Sequence, residues 1–410
     1  MKSTLKLLSL LLCLSCAKEK KSNNQKLDKQ ENNKLISYWN KQKKGANYFN
    51  KIPTKEWFNA AKQANIKFVR LTYEKWKGEQ RDFLLGSADD YKGIIESDFQ
   101  KLKYYLDYAN EQNIKIVLTP LSLPGARYSQ TNNNIRDYRL WKDSKFRKQA
   151  SKFWKDLAFR LKDHPAIVGY NLINEPYPEL AYKKNTFWDK GFTKWYENVK
   201  GGAGDLNLFN EKMTEAIRSV DQNIPIIIES GLYATPWAFE YLKPLKDDKI
   251  IYSFHMYEPY DFTTKKINKG SFSYPSTMYI KELKSIFELN KEGLNNFFNP
   301  IIEWQKINKI SSNRVWVGEF GCSRSVNGAE EYLSDLIFIF NKNKWHWSFY
   351  SYREDVWEAM DYELGTGNVF YKYWDYQDSD NLHLNYDNIY KKEINNTLWK
   401  VFEKEFEKVF

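Results

Sequence analysis

Apolar residues in this chain gather in eight short runs: Gly45–Phe49, Ile66–Leu71, Ile114–Thr119, Ile167–Leu172, Ile224–Glu229, Ile250–His255, Val315–Glu319 and Trp345–Tyr350. Their length and β-branched content suit strands buried on both faces. Between them the apolar period changes to that of a helix. Thr54–Asn65, Ser97–Gln112, Ser144–Lys162, Leu206–Val220, Thr235–Leu242, Gly293–Lys309 and Ala329–Asn341 follow in turn, and Lys391–Lys408 closes the chain. The clearest apolar face is Phe146, Ala150, Phe153, Trp154, Leu157 and Leu161. Thr54 opens its segment as an N-cap, with Trp57 where a capping box would carry Glu. Strands alternating with helices predict a parallel sheet with crossovers, and the count of eight predicts an α/β fold of the closed (β/α)8 TIM-barrel type, in a single domain. An open doubly wound sheet is the competitor, but no glycine-rich phosphate loop follows the first run.

The segments after several strands are long and rich in Tyr, Trp, Asn and Asp: Thr72–Ser97, Leu121–Asp143, Tyr177–Gly204, Met256–Glu292 and Ser351–Tyr390. All follow strand C-terminal ends, so they would wall one face of the barrel as long βα loops. The fourth run ends in Asn174-Glu175-Pro176, and the seventh carries Glu319 just past Val315–Val317. A proline cannot continue a strand, so Asn174 and Glu175 fall where the chain turns outward. A carboxylate directly after a buried strand must be paired or used.

Composition narrows the possibilities. At 410 residues with 42% apolar content the chain buries a large core, and its body is not a membrane protein. The net charge of +11 comes from scattered Lys interleaved with acids, which describes a solvated surface rather than a nucleic-acid footprint. Of three cysteines only Cys322 lies in the body, so no internal disulfide is expected. Residues 1–16 predict a secretory signal: Lys2 and Lys6, the run Leu7–Leu14, then Ser15-Cys16. The last pair resembles a bacterial lipobox, though Cys13 replaces its usual aliphatic residue; an ordinary cleaved signal is the alternative. That resemblance makes Cys16 a lipid anchor in the bilayer and the protein a cell-envelope lipoprotein, on the outer membrane or cell surface. Residues 17–34 have no apolar periodicity and predict a disordered tether to a domain spanning 35–410.

Two carboxylic acids facing each other across a barrel mouth suit acetal cleavage, one protonated and the other ionised. Other strand-end residues fit that demand. Arg70 would keep a neighbouring carboxylate charged, His255 and Tyr257 would orient a nucleophile, and Asn174 would bind a sugar hydroxyl. Trp345, Trp347, Tyr350 and Trp357 are candidates for the ring that stacks on sugar, Trp347 first among them. Taken singly, Arg70 is more often a structural ion pair, His255 a satisfied polar residue and Trp347 core. Four histidines without metal-ligand spacing point to no metal and no cofactor.

NLINEP (Asn171–Pro176) and VGEFG (Val317–Gly321), with KGANYF (Lys44–Phe49), KFVRL (Lys67–Leu71), FHMY (Phe254–Tyr257) and WEAMDYELGTG (Trp357–Gly367), make residues 38–405 resemble the retaining glycoside hydrolases of the cellulase-type family 5. The resemblance implies Glu175 as acid/base and Glu319 as nucleophile. It also implies Asn174 at the substrate, Arg70 and Tyr257 supporting the nucleophile, and His255 lining the site. One departure concerns substrate choice: where the family has a histidine after the third strand, this chain has Leu121 and Ser122. The expectation is a monomeric retaining β-glycosidase cutting a β-glucan, β-mannan or related oligosaccharide. A non-catalytic glycan-binding lipoprotein on the same barrel, or a transglycosylase, are the competing readings.

Overall fold

A computed structural model describes residues 35–49, 51–73, 75–184, 191–280, 285–354, 359–367 and 395–408. The expected signal, tether and Cys16 lie outside the described residues, as does Trp357. The strands are β1 (Lys44–Tyr48), β2 (Phe68–Leu71), β3 (Lys115–Leu118), β4 (Ile167–Asn171), β5 (Ile226–Glu229), β6 (Ile250–Met256), β7 (Ser276–Ile280), β8 (Ser285–Leu289), β9 (Val315–Phe320) and β10 (His346–Phe349). Eight of them close into a barrel in the order β1-β10-β9-β6-β5-β4-β3-β2, every pair parallel. These are the eight apolar runs, each within a few residues of its expected ends. Helices cover the outside. The one over Ser144–Leu161 is capped by Asp143, which accepts from the Lys145 N–H, and it buries all six residues of its predicted face. Each of its large side chains contributes roughly 1.5–3 kcal/mol on leaving water. Thr54 caps Lys55–Gln63 by accepting from the Trp57 N–H at 3.1 Å, half a capping box as anticipated.

Three segments differ from the apolar pattern, each for a local reason. Gly293–Lys309 is two helices, Lys291–Phe297 and Asn299–Asn308, because Pro300 lacks the N–H that would continue the first and opens the second instead. Thr235–Leu242 contains only a 3₁₀ stretch, Pro236–Tyr241. The long loop after β6 carries the antiparallel hairpin β7–β8, whose alternation is concealed by its mostly exposed, mixed residues. Two other loops are tied to each other by charge. Arg127 pairs with Asp82 at 2.8 Å and with Asp89 at 3.0 Å, and Arg139 reaches Asp89 at 2.6 Å. Hydrogen bonds from both arginines hold the Asp89 carboxyl down to about 2.

The barrel interior has two storeys. The lower one is apolar: Phe68, Val117, Val168, Ile227, Ile251 and Trp316 pack together and are plugged from below by Ile36 and Trp39. The Trp39 indole N–H donates to the Val168 carbonyl at 3.0 Å. Because side chains alternate along a strand, the next inward position lies two residues on. There Phe68 gives way to Arg70, Ile227 to Glu229, Ile251 to Ser253, Trp316 to Gly318 and His346 to Ser348. The same residue parity turns Trp347 outward. It is fully buried under the C-terminal helix Thr397–Glu407, against Phe320 (5.7 Å) and Phe406 (5.9 Å), and its N–H donates to Asn341 at 3.2 Å. Trp347 is therefore a core residue and does not face the barrel mouth, which corrects its expected place as the sugar-stacking ring. Trp345 is likewise enclosed, with its N–H on Gln305 at 2.9 Å. Replacing Trp347 with Ala should destabilise the fold by about 3–5 kcal/mol in denaturant titrations, while KM for any cleaved glycan stays within about twofold of wild type; a selective rise in KM would return Trp347 to the sugar site.

Candidate active site

Arg70 rises from β2 into the upper storey and its side chain is fully buried. Its Nε donates to Asn171 Oδ1 at 2.9 Å, and its Nη1 to Glu319 Oε1 at 2.6 Å. Nη2 donates to Asn171 at 2.7 Å, to Asn174 Oδ1 at 2.8 Å and to Glu229 Oε1 at 2.8 Å. The guanidinium thus gathers groups from three other barrel strands, β4, β5 and β9, and Phe49 covers one of its faces at 5.2 Å. Because Asn174 accepts from Arg70 through its oxygen, its amide N–H₂ is the end presented away from that pair.

Glu319 sits near the end of β9 with both oxygens accepting, one from Arg70 and the other from the Tyr257 hydroxyl at 2.8 Å. Burial, then the Glu319 and Glu175 charges, push that phenol well above its ordinary value, so Tyr257 is a fixed donor. Glu175 lies past the end of β4 with its backbone left-handed at φ 49°, a conformation costing an L-residue about 1–2 kcal/mol. Its side chain keeps a 29% exposed face, against 6% for Glu319. One oxygen contacts His255 Nδ1 at 2.9 Å. Burial pushes the Glu175 carboxyl up; the hydrogen bond with His255 opposes this, and the negative charge of Glu319 adds to it. The structure therefore brings Glu175, Glu319, Arg70, Asn174, His255 and Tyr257 together at one end of the barrel.

Glu229, at the end of β5, is the residue that the strand-end reading passed over. It is fully buried, with Oε1 accepting from Arg70 and lying 3.2 Å from His255 Nε2, and Oε2 accepting the backbone N–H of Glu175 at 2.7 Å. Burial alone would raise its carboxyl, but the charges of His255 and Arg70 outweigh that and hold it at about 2. His255 shows the mirror case: burial would strip its proton, yet Glu319 and Glu229 hold its value up at about 10. The signal was present in the sequence, because IIIES ends a buried run in a carboxylate as the other two runs do. Asn47 and Asn171 were also missed. Asn47 donates to the Gly318 carbonyl at 3.0 Å, binding β1 to β9 beneath the site. At Gly318 an added Cβ would lie 2.6 Å from Ser253 Oγ and 3.1 Å from His255 Nε2, so the glycine makes room for the imidazole.

Around the cleft, Tyr350 rather than Trp347 occupies the end of the last strand. Its ring meets Phe49 edge-on at 5.4 Å, its hydroxyl donates to Glu354 at 3.0 Å, and burial, then the Glu354 and Glu319 charges, raise its phenol. On the Glu175 side, Tyr177 and Tyr233 lie 5.4 Å apart with Arg136 over both rings. Leu121 and Ser122 are both buried, and the Ser122 hydroxyl accepts from the Tyr128 N–H at 2.9 Å. One atom each of Glu175, His255 and Glu319 lie within 4.8 Å of one another. The same residues are linked by hydrogen bonds, Glu319 accepting from Arg70 and Tyr257 and His255 lying between Glu175 and Glu229. Among the described residues no helix is long and apolar enough to cross a membrane.

The family model for cellulase (glycosyl hydrolase family 5) matches residues 24–356, well over half of the chain. Endoglucanase C of Acetivibrio thermocellus is 22% identical over 353 residues, covering 80% of this chain and 87% of its own length. Among solved structures, Thermotoga maritima Cel5A in complex with cellobiose aligns with a TM-score of 0.55 at 20% identity, over 78% of this chain and 92% of that one. The same protein in complex with mannotriose aligns with a TM-score of 0.56 at 19% identity, over the same shares. At such identities these two likenesses speak for the barrel alone. The family match agrees with what the barrel had already implied: this chain belongs to glycosyl hydrolase family 5 and is a glycoside hydrolase.

Proposed function

We propose that the protein hydrolyses a β-linked glucan or mannan with retention of anomeric configuration, Glu319 acting as nucleophile and Glu175 as acid/base. The observation that carries this reading is the spacing of the two glutamates, whose facing oxygens lie within 4.8 Å. Retaining enzymes hold their carboxyl groups about 5–5.5 Å apart, whereas inverting ones need about 6.5–9.5 Å to admit a water. The division of labour follows from environment. Two cations, Arg70 and His255, face two acceptor-only carboxylates, Glu229 and Glu319, which leaves Glu175 to carry a proton.

In the first step a Glu319 oxygen bonds to the anomeric carbon while the glycosidic bond breaks. The departing oxygen takes the electron pair and the Glu175 proton. The resulting ester removes the negative charge of Glu319, one of the causes holding the Glu175 carboxyl up, so Glu175 stays ionised after giving up its proton and is free to act as the base. It then deprotonates a water that attacks the anomeric carbon and releases Glu319. The Asn174 amide, fixed by Arg70, suits a hydrogen bond to the hydroxyl beside the scissile bond. Tyr177 and Tyr233 offer aromatic faces to the leaving sugar. Kinship with an endoglucanase, and with a barrel that holds cellobiose or mannotriose, supports a β-linked hexose polymer. We also propose the lipid anchor at Cys16, which rests on the Leu7–Leu14 run and the Ser15-Cys16 pair.

Glu319→Gln should lower kcat on β-glucan or β-mannan by about 10⁴-fold, measured as reducing ends; survival of activity within tenfold of wild type would remove the assignment. Proton NMR of the wild-type reaction should show the β-anomer of the new reducing end first, and initial α-anomer would mean inversion. Expressed in a bacterial host, the full chain should take up labelled fatty acid at Cys16, and Cys16→Ala should be released in soluble form; an unlabelled wild-type protein would refute the anchor.

A further inference from the structure

Glu229 touches neither of the two carboxylates proposed to react, yet three parts of the site end on it. Its Oε1 is shared by Arg70 Nη2 at 2.8 Å and His255 Nε2 at 3.2 Å, and its Oε2 takes the Glu175 backbone N–H at 2.7 Å. With its side chain at 0% exposure it is sealed beneath the cleft, out of reach of any sugar. The Glu175 N–H it accepts belongs to a residue held in the left-handed region, a conformation that persists only where surroundings enforce it.

We propose that Glu229 is a positioning residue: a buried anion that keeps His255 a two-armed hydrogen-bond donor and fixes the turn carrying Glu175, so that it sets both the stance of the acid/base and the alkaline limit of activity. The proposal rests on the reading of Glu175 as acid/base, but its effect on His255 can be read without any substrate. The geometry favours the charge and not merely an acceptor. An ionised Glu229 can only accept, so the proton between them sits on Nε2, while Nδ1 either donates to a Glu175 carboxylate or accepts from its carboxylic acid; three carboxylates around the ring favour a proton on both nitrogens. The groups facing His255 are Glu229 on β5, Glu175 beyond β4, and Glu319 on β9 at 3.7 Å. Arg70 faces Glu229 and Glu319, and Tyr257 faces Glu319, so burial and the positive charge of Arg70 oppose the imidazolium while the three carboxylates favour it. Removing the Glu229 charge tips that balance. An amide in the same volume would also turn an N–H₂ toward the Glu175 N–H or toward the two cations, none of which can accept it.

The sign follows. A histidine held protonated by anions loses its proton at lower pH when one anion is neutralised, so the alkaline limb of the kcat profile should move toward acid. In Glu229→Gln we expect kcat reduced 10- to 100-fold with KM within threefold, and the alkaline limb displaced by one pH unit or more. Nitrogen-15 spectra of histidine-labelled protein, with the His255 signals assigned through His255→Asn, should show both ring nitrogens protonated at pH 8 in wild type and a neutral ring in Glu229→Gln. Superimposable pH profiles together with an unchanged imidazolium would overturn the proposal. Should Glu229→Gln fail to fold, the wild-type spectrum still decides, since a neutral His255 at pH 8 is incompatible with the role. Failure of the catalytic reading is separate: it would appear as Glu319→Gln retaining hydrolysis, with the His255 spectra unaffected.

Discussion

One buried guanidinium organises this site. Arg70 stands where the inside of the barrel changes from apolar to polar, and removing such a cation from water costs several kcal/mol unless its donors are met. They are met by oxygens from Asn47, Asn171, Asn174, Glu229 and Glu319, which belong to four separate strands or their ends. The planar fork explains why arginine holds this place. Lysine offers three donors at one point and could not span Asn171 on one edge and Glu319 on the other. Truncating Arg70 would leave two carboxylates buried without their common partner, a change of about 3–5 kcal/mol in comparable buried pairs. The same contacts that cancel the desolvation cost also aim Glu319 and fix which end of the Asn174 amide faces the cleft.

Three glutamates in one small space acquire three different characters from their surroundings. Glu229 is sealed at 0% exposure between two cations, and its proton is driven off. Glu319, at 6%, accepts from a guanidinium and a phenol. Glu175, which keeps a 29% exposed face, is the member pushed toward its neutral form, by burial and by the charges of Glu319 and Glu229 against the pull of His255. Nothing in their chemistry distinguishes them; depth and neighbours do. An acid and a base can then coexist within one hydrogen-bond network at a single pH.

The fold was legible because it follows from period. Eight runs of buried-strand length separated by helical segments admit few topologies, and the closed parallel barrel is the one with eight strands and no phosphate loop. Glu175 and Glu319 were legible because a carboxylate ending an apolar run conflicts with its surroundings. Trp347 was misplaced for a physical reason. Inward and outward positions alternate residue by residue, and an apolar run buried on both faces carries no mark of which parity faces the axis. Glu229 was overlooked although IIIESG has the form of VGEFG, each with a glycine two residues past its glutamate, so the signal was as plain there as at Glu319. The hairpin β7–β8 stayed hidden for another reason: its apolar residues are both buried (Met278, Leu289) and exposed (Tyr279, Ile286), so STMYI and SIFEL show no clean alternation.

Two histidines inside the barrel show that burial by itself does not decide the chemistry. His346, on the lower storey, lies edge-on to Trp39 at 4.9 Å, accepts the Lys43 N–H at 2.9 Å, and burial drives its value down to about 3. His255 is just as enclosed, yet it is held at about 10, because Glu319, Glu229 and Glu175 surround it. The difference is the supply of counter-charge, and that supply changes within two residues along each strand, from Phe68 to Arg70 and from Ile227 to Glu229. The apolar plug keeps water from rising through the barrel axis, so the charges above it interact in a medium less polarisable than water and act on one another strongly. A barrel whose lower storey were also polar would lose this leverage: His255 would be solvated and neutral at moderately alkaline pH, and Glu175 would have no reason to keep its proton. The catalytic potential of the upper storey depends in this way on residues such as Trp39 and Trp316, which lie beneath it and carry no reactive group.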